Sequence, residues 1–148
     1  MSDLIGHALT PNLLDLLGNR MTTVVVATVD NDGQPHTAPY NQIMAVDPKH
    51  LRLAINRHDS TYRALRDYGL TMIEVLAEGD TAAGIKGHAT VLRERMEVNC
   101  NLAMVEIEVD EVKRDNSPYY LVVQGVIARH RQEPILLYQR HVMNELRG

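Results

Sequence analysis

The stretch LRLAINRHDSTYRALRDYG, from Leu51 to Gly69, concentrates side chains that could hold an anion. Its first part alternates, with Leu51, Leu53 and Ile55 on one face, as a half-buried strand does. Arg57 to Asp59 reads as a loop, and Ser60 to Tyr68 as a short helix ended by Gly69. A helix N-terminus presents unpaired amide N–H groups and the positive end of the helix dipole. Ser60 and Thr61 add hydroxyl donors, and Arg57 and Arg63 bring guanidinium forks that match phosphate oxygens. These are the parts of a phosphate cradle. They are equally the parts of an ordinary helix start, with Asp59 or Ser60 as the cap and both arginines in water. Asp59 opposes an anion unless its carboxylate turns away or pairs with an arginine.

Two further stretches carry weaker signals. In GQPHTAPYNQIMAV, Pro39 cannot donate to a strand ladder, so it belongs at an edge, a bulge or a strand break. Tyr40 and Asn41 place a ring and an amide beside it. In GIKGHATV, Gly84 and Gly87 inside a strand point to a bulge or to a close approach of ligand or backbone. The seven histidines show no zinc-like spacing, so no metal site is expected. Cys100 has no CxxC partner and reads as a bystander. No GxSxG, Walker A or GxGxxG pattern occurs.

The elements that must position these residues are mostly strands. Thr10-Pro11 opens a short helix over 11–17, with Thr as cap and Pro at the first helical position. Thr22 to Val29 and His36 to Val46 read as strands joined through the turn Asp30-Asn31-Asp32-Gly33. His50 to Asn56, Leu70 to Ala77, Ala82 to Glu94 and Leu102 to Val112 read as four more. Val105, Ile107 and Val109 share one face of the last, opposite Glu106, Glu108 and Asp110, which read as its solvated side. Pro118 to His130 is expected to be helical, although its Val and Ile content also suits a strand. Glu133 to Leu146 reads as an amphipathic helix with Ile135, Tyr138, Val142 and Leu146 near one face. The expectation is a mainly β chain with flanking helices, its six antiparallel strands curling into a barrel.

Composition narrows the function classes. The 148 residues fit one domain, 1–148, with a barrel core at about 22–112 and a helical C-terminal segment at about 118–147. A net charge of −4 argues against broad nucleic-acid binding. One cysteine excludes an internal disulfide framework and makes the cytoplasm the expected compartment. The N-terminus lacks a basic, apolar signal-peptide pattern, and no run approaches the roughly 20 apolar residues of a membrane span. With no Phe or Trp and six Tyr, each tyrosine is a candidate for an interface or a ligand contact.

Taken in order, VVVATVDNDGQPHTAPYNQIMAVDPKHLRLAINRHDSTYRALRDYG followed by IKGHATV resembles the FMN-binding split-barrel proteins of the pyridoxamine-phosphate-oxidase-like superfamily, and most closely the small FMN-binding proteins. The match runs from about Thr22 to about Val112. The resemblance implies a six-stranded antiparallel split β-barrel, a homodimer, and two FMN molecules at the subunit interface. It implies that Arg57, Ser60, Thr61 and Arg63 bind the phosphate, and that Pro39, Tyr40, Asn41, Ile55 and Asn56 line the ribityl chain and the ring, largely through backbone groups. Tyr119 or Tyr120 would close the partner's site. The chain departs from true pyridoxamine-phosphate oxidases, which carry an Arg-and-His substrate motif near a Trp-rich C-terminus; this one has no Trp. The implied function is therefore a generic flavoprotein, an oxidoreductase or an electron carrier acting on a small redox substrate. Its catalytic residues are unassigned, and His36 and His58 are candidates only by proximity. The alternatives are a haem-binding or haem-degrading relative, a deazaflavin protein, and a cofactor-free interaction or stress protein on the same barrel.

Overall fold

The β-branched run after Arg20 and the alternating run after Lys49 form strands because their apolar faces need a common core. The structure, a computed structural model, describes residues 3–132 and 134–148. Met1 and Ser2 lie outside them, as does Glu133, the expected first residue of the terminal helix. The elements in order are β1 (Asp3–Gly6), α1 (Pro11–Gly18), β2 (Val24–Val29), β3 (Pro35–Tyr40), β4 (Ile43–Asp47), β5 (His50–Asn56), α2 (Ser60–Tyr68), β6 (Leu70–Ala77), β7 (Thr81–Arg93), β8 (Leu102–Arg114) and α3 (Pro134–Arg147).

The strands form one antiparallel sheet of order β3-β2-β6-β7-β8-β5-β4. β1 pairs with the far end of β8, beyond the stretch that β5 occupies. The architecture is the expected one, but the strand count is eight, not six. Two causes account for the difference. Asp3–Gly6 adds a short strand that its composition does not announce. The expected strand from His36 to Val46 is broken at Asn41 and Gln42, and its halves go to opposite ends of the sheet. β3 pairs only with β2 at one end and β4 only with β5 at the other, so the sheet is not closed. Pro35 and Pro39 both lie on β3, the edge strand, where a missing N–H costs nothing.

Of the two strand glycines, Gly87 meets the expectation of a bulge and a close backbone approach, whereas Gly84 is crowded by a side chain instead. The register shifts between Lys86 and Gly87, and a Cβ at Gly87 would stand 2.6 Å from the Glu108 carbonyl oxygen. A Cβ at Gly84 would stand 2.6 Å from Lys113 Cε, so the lysine stem lies across that glycine.

The main core gathers Val24, Val26, Ile43, Leu51, Leu53, Ile55, Ile73, Val75, Ile85, Val105, Ile107 and Val109 from across the sheet. α1 packs against β4 and buries Leu13, Leu16 and Leu17. The Thr10 hydroxyl accepts the Leu13 N–H at 3.3 Å, a cap that contributes about 1 kcal/mol. A second apolar cluster lies under α3, where Val142 and Leu146 meet Ala54, Met96, Leu102 and Met104.

The expected helix at Pro118 to His130 is not formed. Residues 115–132 carry no regular element and run as an irregular strap. Gly125 passes so close to β6 that a Cβ there would collide with the Leu76 carbonyl. The Val122 N–H donates to Asp80 Oδ1 at 2.9 Å. The strap's β-branched residues have neither a helix periodicity nor a strand partner, and Val123, Val126 and Ile127 are exposed. Within α3, Ile135 is also exposed; the buried face is Gln139, Val142 and Leu146.

Candidate functional site

The loop from Asn56 to Asp59 is shaped by its own polar groups. Asn56 Oδ1 accepts the His58 N–H at 2.9 Å, and the Asn56 carbonyl accepts the Asp59 N–H at 3.0 Å. The Arg57 N–H donates to the Asn101 carbonyl at 2.9 Å, which ties the loop to the turn before β8. α2 then starts at Ser60 with Asp59 in the cap position, yet the Asp59 side chain makes no capping bond. Its carboxylate instead accepts the Tyr40 hydroxyl at 3.3 Å. The carboxylate thus pairs with Tyr40 and with no arginine among the described residues.

Tyr40 joins the two ends of the site, because its hydroxyl also lies close enough to the Thr61 hydroxyl to be influenced by it. Burial raises the phenol above its ordinary value; the Asp59 carboxylate pushes the same way and Thr61 opposes it. Tyr40 therefore remains a neutral donor at neutral pH. Arg63 folds back and donates from Nη1 to the His58 carbonyl at 3.0 Å. Arg57 is half-buried, and its Nε is sealed from solvent with no hydrogen-bond partner among the described residues. An unsatisfied buried N–H of this kind costs about 1–3 kcal/mol until an acceptor reaches it.

Two clefts share this neighbourhood. One, of about 390 Å³, lies between α2 and the β2–β3 turn and is lined by Ser60, Arg63, Asp67, Thr28, Asp30 and His36, among others. His36 pairs with Asp30 at 2.8 Å, and this hydrogen bond holds the Asp30 carboxyl below its ordinary value. The other, of about 370 Å³, opens at the break between β3 and β4. Thr23, Pro39, Tyr40, Asn41, Gln42 and Ala54 line it, and Val126 and Ala128 of the strap wall it off.

The structure thus brings Tyr40 and Asp59 into contact, with Thr61 beside them, Arg57 on the adjoining loop and Arg63 in the first turn of α2; Arg57 and Thr61 line neither cleft. Pro39 and Asn41 stand with Tyr40 at the second cleft. Ile55 is 1% exposed and spends its side chain in the main core, while Asn56 shapes the turn. Tyr119 and Tyr120 lie exposed on the strap and line neither of these clefts. Among the described residues no group of three or more His, Cys, Asp or Glu side chains is placed to hold a metal ion. No helix among them is long and apolar enough to cross a membrane.

Reading the sequence missed Gln42, Gln139, Asp30 and the strap residues. Gln139 carried a signal: it sits three and seven residues before Val142 and Leu146, on the face an amphipathic helix buries.

No protein-family profile matches the chain, and no curated protein matches it. Solved structures do. A candidate pyridoxamine 5′-phosphate oxidase from Lactobacillus delbrueckii is 24% identical, with a TM-score of 0.64 over 76% of this chain and 98% of its own. HupZ of Group A Streptococcus is 21% identical, with a TM-score of 0.61 over 78% of this chain and 98% of its own. An FAD-binding protein from Mesorhizobium loti is 13% identical, with a TM-score of 0.55 over 76% of this chain and 96% of its own. At these identities the likeness is one of fold.

Proposed function

We propose that this chain, which has the split β-barrel fold shared by pyridoxamine-phosphate-oxidase-like proteins, binds FMN and works as a redox flavoprotein. The observation that carries the reading is Arg57 Nε, a buried cationic donor without a partner among the described residues, in the loop three residues before a helix N-terminus that its own cap side chain leaves uncovered. A phosphate there would take up Arg57 Nε, the Ser60 and Thr61 groups and the Arg63 guanidinium. The ring would lie toward the cleft at the strand break, against Pro39 and Tyr40, with Asn41 as its polar contact. Bound FMN supplies electron transfer at its N5 atom; the chain's own groups bind it, orient it and keep water from it. The FAD-binding protein among the fold's neighbours supports a flavin-type cofactor.

The same proposal extends to a homodimer. Tyr119, Tyr120, Leu121, Val123, Val126 and Ile127 form an exposed apolar run, and Val25, Leu70 and Leu76 are exposed on the sheet. Side chains of this kind in sequence need a cover, and a second copy of the chain provides one. Light scattering tests this directly: a monomer at working concentration removes the dimer.

For the cofactor, the purified protein is titrated with FMN and with riboflavin while flavin fluorescence is followed. FMN is expected to bind at least about a hundredfold tighter, because only it carries the charge-assisted phosphate contacts. Equal binding of the two removes the phosphate assignment, and failure to take up either removes the flavin reading.

A further inference from the structure

α3 stands apart from the residues discussed so far, on the outer side of β4 and β5. Its C-terminal half is anchored several times over. Glu145 accepts the main-chain N–H groups of Glu97 and Val98 at 3.0 and 2.8 Å and pairs with Arg93 at 3.2 Å. Arg52 donates to the Leu146 carbonyl at 3.0 Å. One turn from Val142, however, the buried face of α3 carries a carboxamide. Gln139 is 3% exposed, and a hydrophobic side chain would pack there without any polar group to desolvate.

Its partners explain the carboxamide. Gln139 Oε1 accepts from Gln42 Nε2 at 2.7 Å, and Gln139 Nε2 donates to the Asn41 carbonyl at 3.5 Å. Asn41 and Gln42 are the two residues that separate β3 from β4, and both line the cleft at that break. From the other side, the Gln42 carbonyl accepts the Ala54 N–H at 2.9 Å. The break is therefore gripped twice, by the main chain of β5 and by one side chain of α3. A buried polar network with its groups satisfied specifies one local conformation more than it adds stability.

We propose that Gln139 is a positioning residue of the flavin site: from α3 it holds the Asn41–Gln42 break in the conformation that meets the flavin ring. The inference rests on the flavin reading above. It makes α3 part of the site without touching the ligand. Asn41 offers the ring its side-chain amide and Gln42 the oxygen of its carboxamide, and Gln139 sets the orientation of both through the groups it holds.

The test compares wild type, Gln139→Leu, Gln42→Leu and the double variant for FMN affinity and for the visible spectrum of the bound flavin. Gln139→Leu is expected to fold, since the Glu145 and Arg52 anchors are untouched. It should weaken FMN binding about tenfold, as loss of a buried hydrogen-bonded pair does, and should shift the flavin's visible band. In the Gln42→Leu background the same change should have a smaller effect, because most of what Gln139 holds is gone. A Gln139→Leu variant that binds FMN as tightly as wild type with an unchanged spectrum overturns the inference and leaves the flavin reading standing. Fully additive losses also overturn it. A wild type that takes up no FMN removes both. Should Gln139→Leu fail to fold, Gln139→Glu keeps an acceptor for Gln42 Nε2 and loses the donor to the Asn41 carbonyl. Its FMN affinity and spectrum are expected to change, and an unchanged pair of readings overturns the inference equally.

Discussion

The two clefts beside Tyr40 differ in kind. The one between α2 and the β2–β3 turn is walled by Arg63, Asp30, His36, Asp67 and the hydroxyl residues Thr28, Ser60 and Tyr68. The one at the strand break is walled by Pro39, Tyr40, Ala54, Val126 and Ala128, with two amides between them. Charges that stay hydrated suit the first, and a flat apolar ring suits the second. Tyr40 lines the second cleft and donates to Asp59, the residue before Ser60 of the first, so the two clefts meet at this hydrogen bond. A ligand with a charged end and an aromatic end would match that division, and each end should respond to changes on its own side.

The largest effect is expected from the charged side. Arg57→Met combined with Arg63→Ala should weaken FMN binding about a hundredfold, near the loss of two charge-assisted contacts after allowance for the exposure of Arg63. Riboflavin binding should hardly change. If both ligands lose affinity equally in the fluorescence titration, the division between the clefts is wrong. A smaller effect is expected from the apolar side. Val126→Asp puts a charge against the ring and should weaken FMN and riboflavin alike, by about tenfold. A loss confined to FMN would mean that the strap faces the phosphate. Tyr40→Phe removes the coupling itself and should cost a further few-fold for FMN, about 1 kcal/mol.

The charged side was more legible in the sequence than the apolar side, for a physical reason. Ser60, Thr61 and Arg63 belong to one helix start, and local spacing is enough to bring them together. The strands likewise announced themselves by alternation, as in Leu51, Leu53 and Ile55, all buried. The apolar cleft is built from residues far apart in the chain: Thr23, Gln42, Ala54 and Val126. No local pattern relates them. Pro39 marked a break, but it could not show that the two half-strands go to opposite ends of the sheet, because that depends on the whole strand order. The strap is not a helix because it is held by Gly125 against β6 and by Asp80 of the β6–β7 turn rather than through a periodic face.

The smallest predicted effect separates the two sides by pH. On the charged side, the His36 hydrogen bond holds Asp30 below its ordinary value, so what this pair adds to stability is present at neutral pH and is lost as pH falls. On the other side the sign reverses. Pro39, Val25, Glu74, Gly84 and Lys113 lie in one row across β3, β2, β6, β7 and β8. Burial, aided by the Asp115 carboxyl and opposed by Lys113, raises Glu74 from 4.5 to about 7. Lys113 Nζ is already taken by Asp115 at 2.9 Å, which limits what it can do for Glu74. The native chain then holds this proton more tightly than the unfolded chain, so the contribution is complete below pH 4.5 and is lost as pH rises toward 7. Glu74 is only partly buried, so the loss is about 1 kcal/mol after screening. Glu74→Gln should therefore raise the melting temperature by a few degrees at pH 8, about 1 kcal/mol, and leave it unchanged at pH 4. An equal gain at both pH values would show that the glutamine acts through packing and that Glu74 carries no charge penalty. The FMN-to-riboflavin preference should be the same in this variant as in wild type, since Glu74 lines neither cleft.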